Sequence, residues 1–482
     1  FNKQRLLETF IIKNLNKEAT TNLIKQVFGE QTVSSEFADL IYQRTGGNPF
    51  FVEEILRSLV DEGTIFRTEK GWDRKPIQEI EVPKSVKNIL KSRLAKLDPE
   101  TLNVLSAASI IGPEFSLDIL REVTQTQEDT LLDRLEKAII AGLVVEVPKR
   151  KDVFKFLDTR IREVLLGDII QSRRIRYHVR IAEAMLKVYL KNLESHAEAI
   201  ATHFSEGGDT ERGIKYSVMA GDRNKSIHAY EQATKHYKRA LDLIELEEGN
   251  DQEKSLVLER LADSYSYAGQ FQNSEQCYER ALGIFEKLRD GRAYARACIG
   301  LARTIHGHKW AVGTREATDV LKRGLRYLEE AGETESFEVA SIYSDLAYYL
   351  ALIDEWGEAN AWAEKALVVG EKTQNFGAVA AAFASKASFL TDTGRIDEGL
   401  PLWERAIDVA LQHETFENAP NMLTNLSIYT YPRNLSKARE IQLRQLELCK
   451  RLNYIAGQAE GWGWLSILDW YGGDWRTALE AI

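Results

Sequence analysis

Few residue groupings in this chain of 482 residues have the types and spacing that chemistry needs. His306 and His308, two apart and followed by Lys309 and Trp310, offer two imidazoles to a metal, but no third ligand lies near them in sequence. A surface loop is the plainer reading. Cys277, Cys298 and Cys449 are far apart, without the paired spacing of a zinc site or a disulfide framework, and suit a reducing, cytoplasmic compartment. Arg160, Arg162, Arg173, Arg174 and Arg176 invite a phosphate-binding reading; ion pairs and solvated faces are the plainer one. The run Ala351-Leu352-Ile353-Asp354-Glu355 mimics an apolar strand ending in two acids, but it falls at a repeat turn. No GxxxxGK[ST] loop is present to cradle phosphates or hold magnesium. No catalytic residue, metal or cofactor of its own is therefore expected of this chain.

The grouping that says most is Thr45-Gly46-Gly47-Asn48-Pro49-Phe50-Phe51. Two glycines end one helix, Asn48 caps the next, and Pro49 takes its first position, where a missing N–H costs nothing. Residues 1–82 read as helices followed by a small hairpin of Thr64–Thr68 and Gly71–Lys75. Asn16 and Ser34 or Ser35 are the N-caps of the earlier helices. Residues 83–180 read as a winged helix. Its helices start at Asp98-Pro99, at Ser116, and at a capping box of Thr126 and Asp129; the last runs to about Ala141. Two apolar strands, 142–147 and 152–157, follow, joined by the basic turn Pro148-Lys149-Arg150-Lys151. The third helix carries Glu128, Asp129, Asp133 and Glu136 against Arg134 and Lys137, which disfavours a DNA-reading role.

Residues 181–482 read as an array. Small residues recur at Ala233, Ser274, Ala317, Ala359, Gly399, Ala438 and Ala478, with spacings of 41, 43, 42, 40, 39 and 40. An aromatic or bulky residue stands three before most of them. A second small residue lies 12 before the anchor at Ala262, Ala347, Ala387 and Ser466. A fixed period of this length means helical hairpins stacked on one another, a form that binds more often than it catalyses. Two departures stand out: Gln442 and Gln445 replace the expected aromatic and alanine, and an insertion falls in a loop at His306–Gly313. The array is acidic, with 34 basic against 46 acidic residues, which disfavours nucleic acid as its partner. The longest apolar run, Ala138 to Val147, is too short to cross a bilayer. The opening at Phe1 and the stop within a repeat are read as the ends of a fragment.

The small-x3-aromatic-x2-Ala core resembles the tetratricopeptide repeat, at a longer period. Lengthened helices of this kind are similar to the sensor superhelix of the maltose-regulon activator. Residues 46–54, Gly-Gly-Asn-Pro-Phe-Phe-Val-Glu-Glu, resemble the helical lid of a STAND-class, AAA+-like signalling ATPase. Pro83 to Leu97, and Phe154-Lys155-Phe156 through Arg173-Arg174 and His178, resemble the winged helix that follows it. The resemblance implies a mostly α fold of lid, winged helix and α-solenoid. It implies an adenine-side contact at Pro49, shaped by Gly47 and Asn48, with ATP or ADP and magnesium held by a nucleotide domain upstream. It also implies a protein partner or small-molecule inducer on the array and a possible nucleotide-dependent oligomer. In such superhelices the first helix of each pair lines the inner wall, making Tyr348, Ser385, Asn425, Tyr429 and Trp464 candidate groove residues. The alternatives are a non-enzymatic scaffold and a DNA-binding regulator.

Overall fold

A computed structural model describes residues 14–28, 33–69, 71–76, 86–246, 250–416, 418–452 and 454–480. Pro83, with which the winged-helix resemblance opens, and both chain ends lie outside them. The chain divides into two compact units, the second beginning at Thr210.

In the first unit, α1 (Lys17–Phe28), α2 (Ser35–Thr45) and α3 (Pro49–Asp61) precede a hairpin of β1 (Ile65–Thr68) and β2 (Gly71–Arg74). Asn16 accepts a hydrogen bond from the Ala19 N–H at 2.8 Å and Ser34 one from Phe37 at 3.3 Å, as the capping pattern requires. Ile24, Phe37, Ile41, Val52, Ile55 and Leu59 form the core, and Phe28 meets Trp72 of the hairpin edge to face at 5.2 Å.

After α4 (Val86–Ala95) the order is α5 (Pro99–Ile111), β3 (Glu114–Ser116), α6 (Leu117–Thr124), α7 (Glu128–Ile140), β4 (Val144–Glu146) and β5 (Val153–Phe156). The last strand lies between the other two, antiparallel to both. Asp98 and Ser116 cap α5 and α6 as expected. The Thr126 capping box does not form: Gln127 is the N-cap of α7, without a side-chain bond, and the Thr126 hydroxyl turns to the Thr124 carbonyl. Strand β3 was not anticipated; three residues between two helices are too few to show an alternating pattern.

Next come α8 (Thr159–Asp168), α9 (Gln171–Val188) and α10 (Leu193–Glu206). The array was expected from residue 181, yet α9 and α10 pack on each other within the first unit. Between them His178 and His203 face each other, Nδ1 to Nδ1, at 3.0 Å. His203 is 5 % exposed and also bonds the Ile111 backbone. Burial, then the neighbouring His178, pull its pKa down to about 4; burial lowers His178 too, with Arg174 and Arg162 nearby and Glu206 opposing.

The second unit is a stack of antiparallel helical hairpins. The first helices are α11 (Thr210–Ser226), α13 (Asp251–Tyr267), α15 (Gly291–Lys309), α17 (Phe337–Leu352), α19 (Phe376–Asp392), α21 (Ala419–Thr430) and α23 (Ile455–Tyr471). They alternate with α12 (Tyr230–Leu246), α14 (Phe271–Leu288), α16 (Thr314–Glu330), α18 (Trp356–Thr373), α20 (Ile396–Gln412), α22 (Leu435–Arg451) and α24 (Trp475–Glu480). Every anchor of the repeat is the fourth residue of its second helix, and each is buried. The pairing 12 apart is a contact: Ser274 donates its hydroxyl to the Ala262 carbonyl at 2.8 Å, and Ser466 to that of Ala478 at 2.9 Å. At Gly399 an added Cβ would stand 2.6 Å from Thr391 and 3.1 Å from the Ala387 carbonyl. Helices this close admit only small residues.

The bulky positions bridge in the same way. Tyr237 donates to Asp222 at 2.6 Å and Tyr278 to Asp263, each tyrosine reaching back to the first helix of its own hairpin. Arg260 approaches Asp222 at 3.4 Å and Lys225 approaches Asp263 at 2.6 Å, which ties one hairpin to the next. Gln442 and Gln445 are fully buried, and Gln445 donates to the Gly457 carbonyl at 3.0 Å, so polar side chains stand where an aromatic and an alanine were expected. The insertion at His306–Gly313 is not a loop: α15 continues to Lys309 and a 3-10 turn, Trp310–Gly313, completes it.

Ala347, fully buried opposite Ala359, tests the close approach. Ala347→Leu should cost about 1–3 kcal/mol through overpacking, read as a lower denaturant midpoint. The histidine pair sets a pH dependence. Below about pH 6.5 the unfolded chain takes up a proton that His203 refuses until pH falls to about 4. Stability should therefore drop through that window, by on the order of 3 kcal/mol for this group. His203→Gln should flatten the melting temperature between those limits relative to the unchanged protein.

Candidate functional site

The turn at residues 45–49 takes the form its residues dictate. Gly46 has φ of 58° and its N–H closes α2 on the Tyr42 carbonyl at 2.8 Å. Gly47 has φ of 75°, and its N–H reaches the Thr45 hydroxyl at 3.2 Å. Asn48 caps α3 by accepting from the Phe51 N–H at 3.4 Å. Pro49 opens α3 and is exposed.

Gly47 has a second reason to be glycine. The Leu15 N–H donates to the Gly47 carbonyl at 2.8 Å, and a Cβ on Gly47 would lie 1.9 Å from the Leu15 oxygen. Asn14 adds a side-chain bond to the Gly46 carbonyl at 3.2 Å. One strand of backbone thus lies directly against the turn and fixes its shape.

Beside Pro49, the Arg160 guanidinium lies 4.0 Å from the Phe50 ring centre and 4.8 Å from that of Phe51. Asp158 grips it through two bonds of 2.7 Å, and that hydrogen bonding holds the Asp158 carboxyl below its ordinary range. Arg160 is therefore a clamp between the start of α3 and the start of α8. Arg162 donates to the Ser109 carbonyl at 2.7 Å. Arg173, Arg174 and Arg176 are exposed on the first turns of α9, with no ion pair among the described residues, and so take the solvated-face form of the expectation.

The five candidate groove residues fall on first helices of successive hairpins, Tyr348 on α17, Ser385 on α19, Asn425 and Tyr429 on α21, and Trp464 on α23. Tyr348 is 44 % exposed and meets His306 edge to face at 5.9 Å. Ser385 is buried and donates to the Ala381 carbonyl at 3.0 Å, which leaves little of it for a ligand. Tyr429 donates to Asp392 of α19, and burial and that carboxylate push its pKa up to about 12. Asn425 and Trp464 are half-buried. Among the described residues no hydrogen bond or ring contact joins any two of the five. His306 is itself buried, with His308 paired to Glu275 at 3.5 Å, and no group of three metal-ligating side chains occurs among the described residues. No described helix is long and apolar enough to cross a membrane.

Sequence reasoning allowed an ion pair at Arg160 but missed its partners, Asp158 and the Phe50 and Phe51 rings. Its signal, an Asp two residues before an Arg, is too common to be read without the fold.

Residues 226–287 match the model of the tetratricopeptide repeat, and residues 16–66 match a domain of unknown function, DUF8739. The chain is similar to the hybrid signal transduction histidine kinase G of Dictyostelium discoideum, at 30 % identity over 144 residues. That is 29 % of this chain and 4 % of the relative. It is also similar to the peroxide stress-activated histidine kinase mak3 of Schizosaccharomyces pombe, at 21 % identity over 248 residues, which is 48 % of this chain and 10 % of the relative. The chain thus spans a small part of the length of the curated relatives it matches. Among solved structures it resembles a Signal Transduction ATPase with Numerous Domains protein with a tetratricopeptide repeat sensor, from Pyrococcus horikoshii. The identity is 16 %, the TM-score 0.41, and the match covers 97 % of this chain and 71 % of that one. The fold is mostly α, and its repeats are those of a tetratricopeptide-like solenoid.

Two glycine substitutions separate conformation from contact. Gly46→Ala, whose Cβ meets nothing within 4 Å, should cost about 1 kcal/mol for the left-handed backbone alone. Gly47→Ala must also displace Leu15, and should cost about 2 kcal/mol or more, measured by equilibrium unfolding.

Proposed function

We propose that this chain is the regulatory and sensor region of a STAND-type signal-transduction ATPase. The hairpin array binds an inducer or a partner protein, and the first unit couples that event to the nucleotide state of a domain upstream. The observation that carries the reading is the order of parts in one chain: a helical unit ending α2 on an exposed Pro49 turn, a small helix-and-sheet module, then the repeats. The module's order, with β5 between β3 and β4, supports the winged-helix assignment. Both curated relatives are named as histidine kinases, which suits a signalling output for the whole protein.

The residues present fit one side of a nucleotide only. An exposed proline ring at a helix start offers a flat apolar contact to a base, shaped by Gly47 and Asn48. Bound ATP or ADP with magnesium would supply the phosphate chemistry from the upstream domain. Coupling requires the ligand of the array to favour one of two domain arrangements. We place the protein in the cytoplasm, with a nucleotide-dependent oligomer as its active form.

A scaffold without nucleotide has one observation in its favour: the contact with Leu15 by itself accounts for Gly47. A DNA-reading role is opposed by α7, whose Arg134 pairs with Glu100 and whose Lys137 pairs with Asp98 at 3.1 Å. In the turn before β5, Arg150 is likewise held by Glu114.

The test uses the full-length protein. Pro49→Glu should weaken ADP binding about tenfold or more in calorimetry, because a carboxylate faces the base, while the melting temperature without nucleotide changes little. Unchanged ADP affinity would reduce the turn to a helix start.

A further inference from the structure

Ion pairs run from the second helix of one hairpin to that of the next. Glu245 takes Arg280 at 2.6 Å, Glu279 takes Arg323 at 3.5 Å and Glu358 takes Lys322 at 3.2 Å. Between α20 and the start of α22, Asp397 takes Arg433 at 2.8 Å and Glu404 takes Lys437 at 3.2 Å. The ladder then stops. Further along α22, Arg444, Lys450 and Arg451 are exposed and have no ion pair among the described residues.

These three cations rim a cavity of about 580 Å3 in the wedge between α20, α21 and α22. Its apolar lining is Leu411, Leu423 and Leu448, and Glu447 is its one carboxylate. Two of the cations are held in place by aromatic faces. Lys450 stands 5.1 Å from the Trp462 ring and Arg451 5.1 Å from that of Phe416.

We propose that this wedge is the docking site for a partner segment carrying carboxylates next to a large aliphatic or aromatic side chain. The proposal rests on the reading that the array binds a partner, and it gives that partner's chemistry. The charge argument is local. In an array with 34 basic and 46 acidic residues, three unpaired cations around one acid invert the prevailing sign. Like charges gathered without a counter-ion repel, and a carboxylate-bearing partner removes that repulsion while fixing its own register. The volume argues against a lone small anion, since the cavity is of the size that takes large side chains. The apolar contact falls mainly to half-buried Leu411, since Leu423 and Leu448 are 1 % and 6 % exposed, and leucines give a nucleic-acid backbone nothing to bond.

The probe is a short fluorescein-labelled peptide of alternating Asp or Glu with Leu or Phe, titrated with the full chain and read by fluorescence anisotropy. Binding should saturate. The paired substitutions Arg444→Glu and Arg451→Glu should weaken it about tenfold or more, and so should replacing the peptide's acids by their amides. Arg433→Glu, within the ladder, should leave it nearly unchanged. Circular dichroism melts check folding, and Arg444→Gln with Arg451→Gln serves if the charge reversal unfolds the chain. Absence of saturable binding, indifference to the paired substitutions, or tighter binding of an oligothymidylate would overturn the site. A partner that binds the array equally well after charge reversal would also overturn it, while leaving the partner-binding function standing.

Discussion

The array depends on how closely its paired helices approach. Ala262 with Ser274, Ala387 with Gly399, and Ser466 with Ala478 put small side chains at one depth on two antiparallel helices. The backbones come near enough for a serine hydroxyl to reach the opposite carbonyl. A single hairpin cannot bury its apolar side, so each leans on the next, with one core cluster from Ile214 to Ala382 and another from Val379 to Leu448. The tyrosine bridges depend on the same approach. Were the helices further apart, the hydroxyls of Tyr237 and Tyr278 would be buried without Asp222 and Asp263 to accept them.

That constraint divides labour along the sequence. Positions facing the partner helix must be small or bridging, which leaves the outward positions free to vary in charge. The ladder of ion pairs occupies many of these. Exposed pairs contribute little stability each, so their placement says more about which surfaces are already satisfied than about what holds the fold. Arg444, Lys450 and Arg451 matter because all three, without an ion pair among the described residues, stand on the rim of one cavity. In the first unit, Arg160 does the reverse, spending its charge on Asp158 and its face on Phe50.

Much of this was legible in the sequence because its signals are local. The anchors at Ala233 through Ala478 gave the second helix of every hairpin, and the Gly46-Gly47-Asn48-Pro49 run gave a helix end and a helix start. What could not be read depends on contacts distant in sequence. Leu15 against Gly47 is one, and Ile111 against His203 another. The extension of α15 to Lys309 was hidden because Gly307 and the two histidines look like loop residues, while burial of His306 keeps them helical. Gln442 and Gln445 looked like a failed repeat; they bond each other and Gln445 reaches the Gly457 carbonyl, while the Gln442 Oε1 is left without a partner among the described residues. Of the groove candidates, helix membership followed from the period, but side-chain burial, as at Ser385, did not.

The central claim is that the Pro49 turn belongs to a nucleotide site governed by the array. Hydrogen–deuterium exchange on the full-length protein, with and without ADP, tests it most directly. The account predicts slower exchange at the backbone amides of residues 46–52 when ADP is present, with a change also in the hairpins beyond Thr210. Exchange at residues 46–52 that is identical with and without ADP would contradict it.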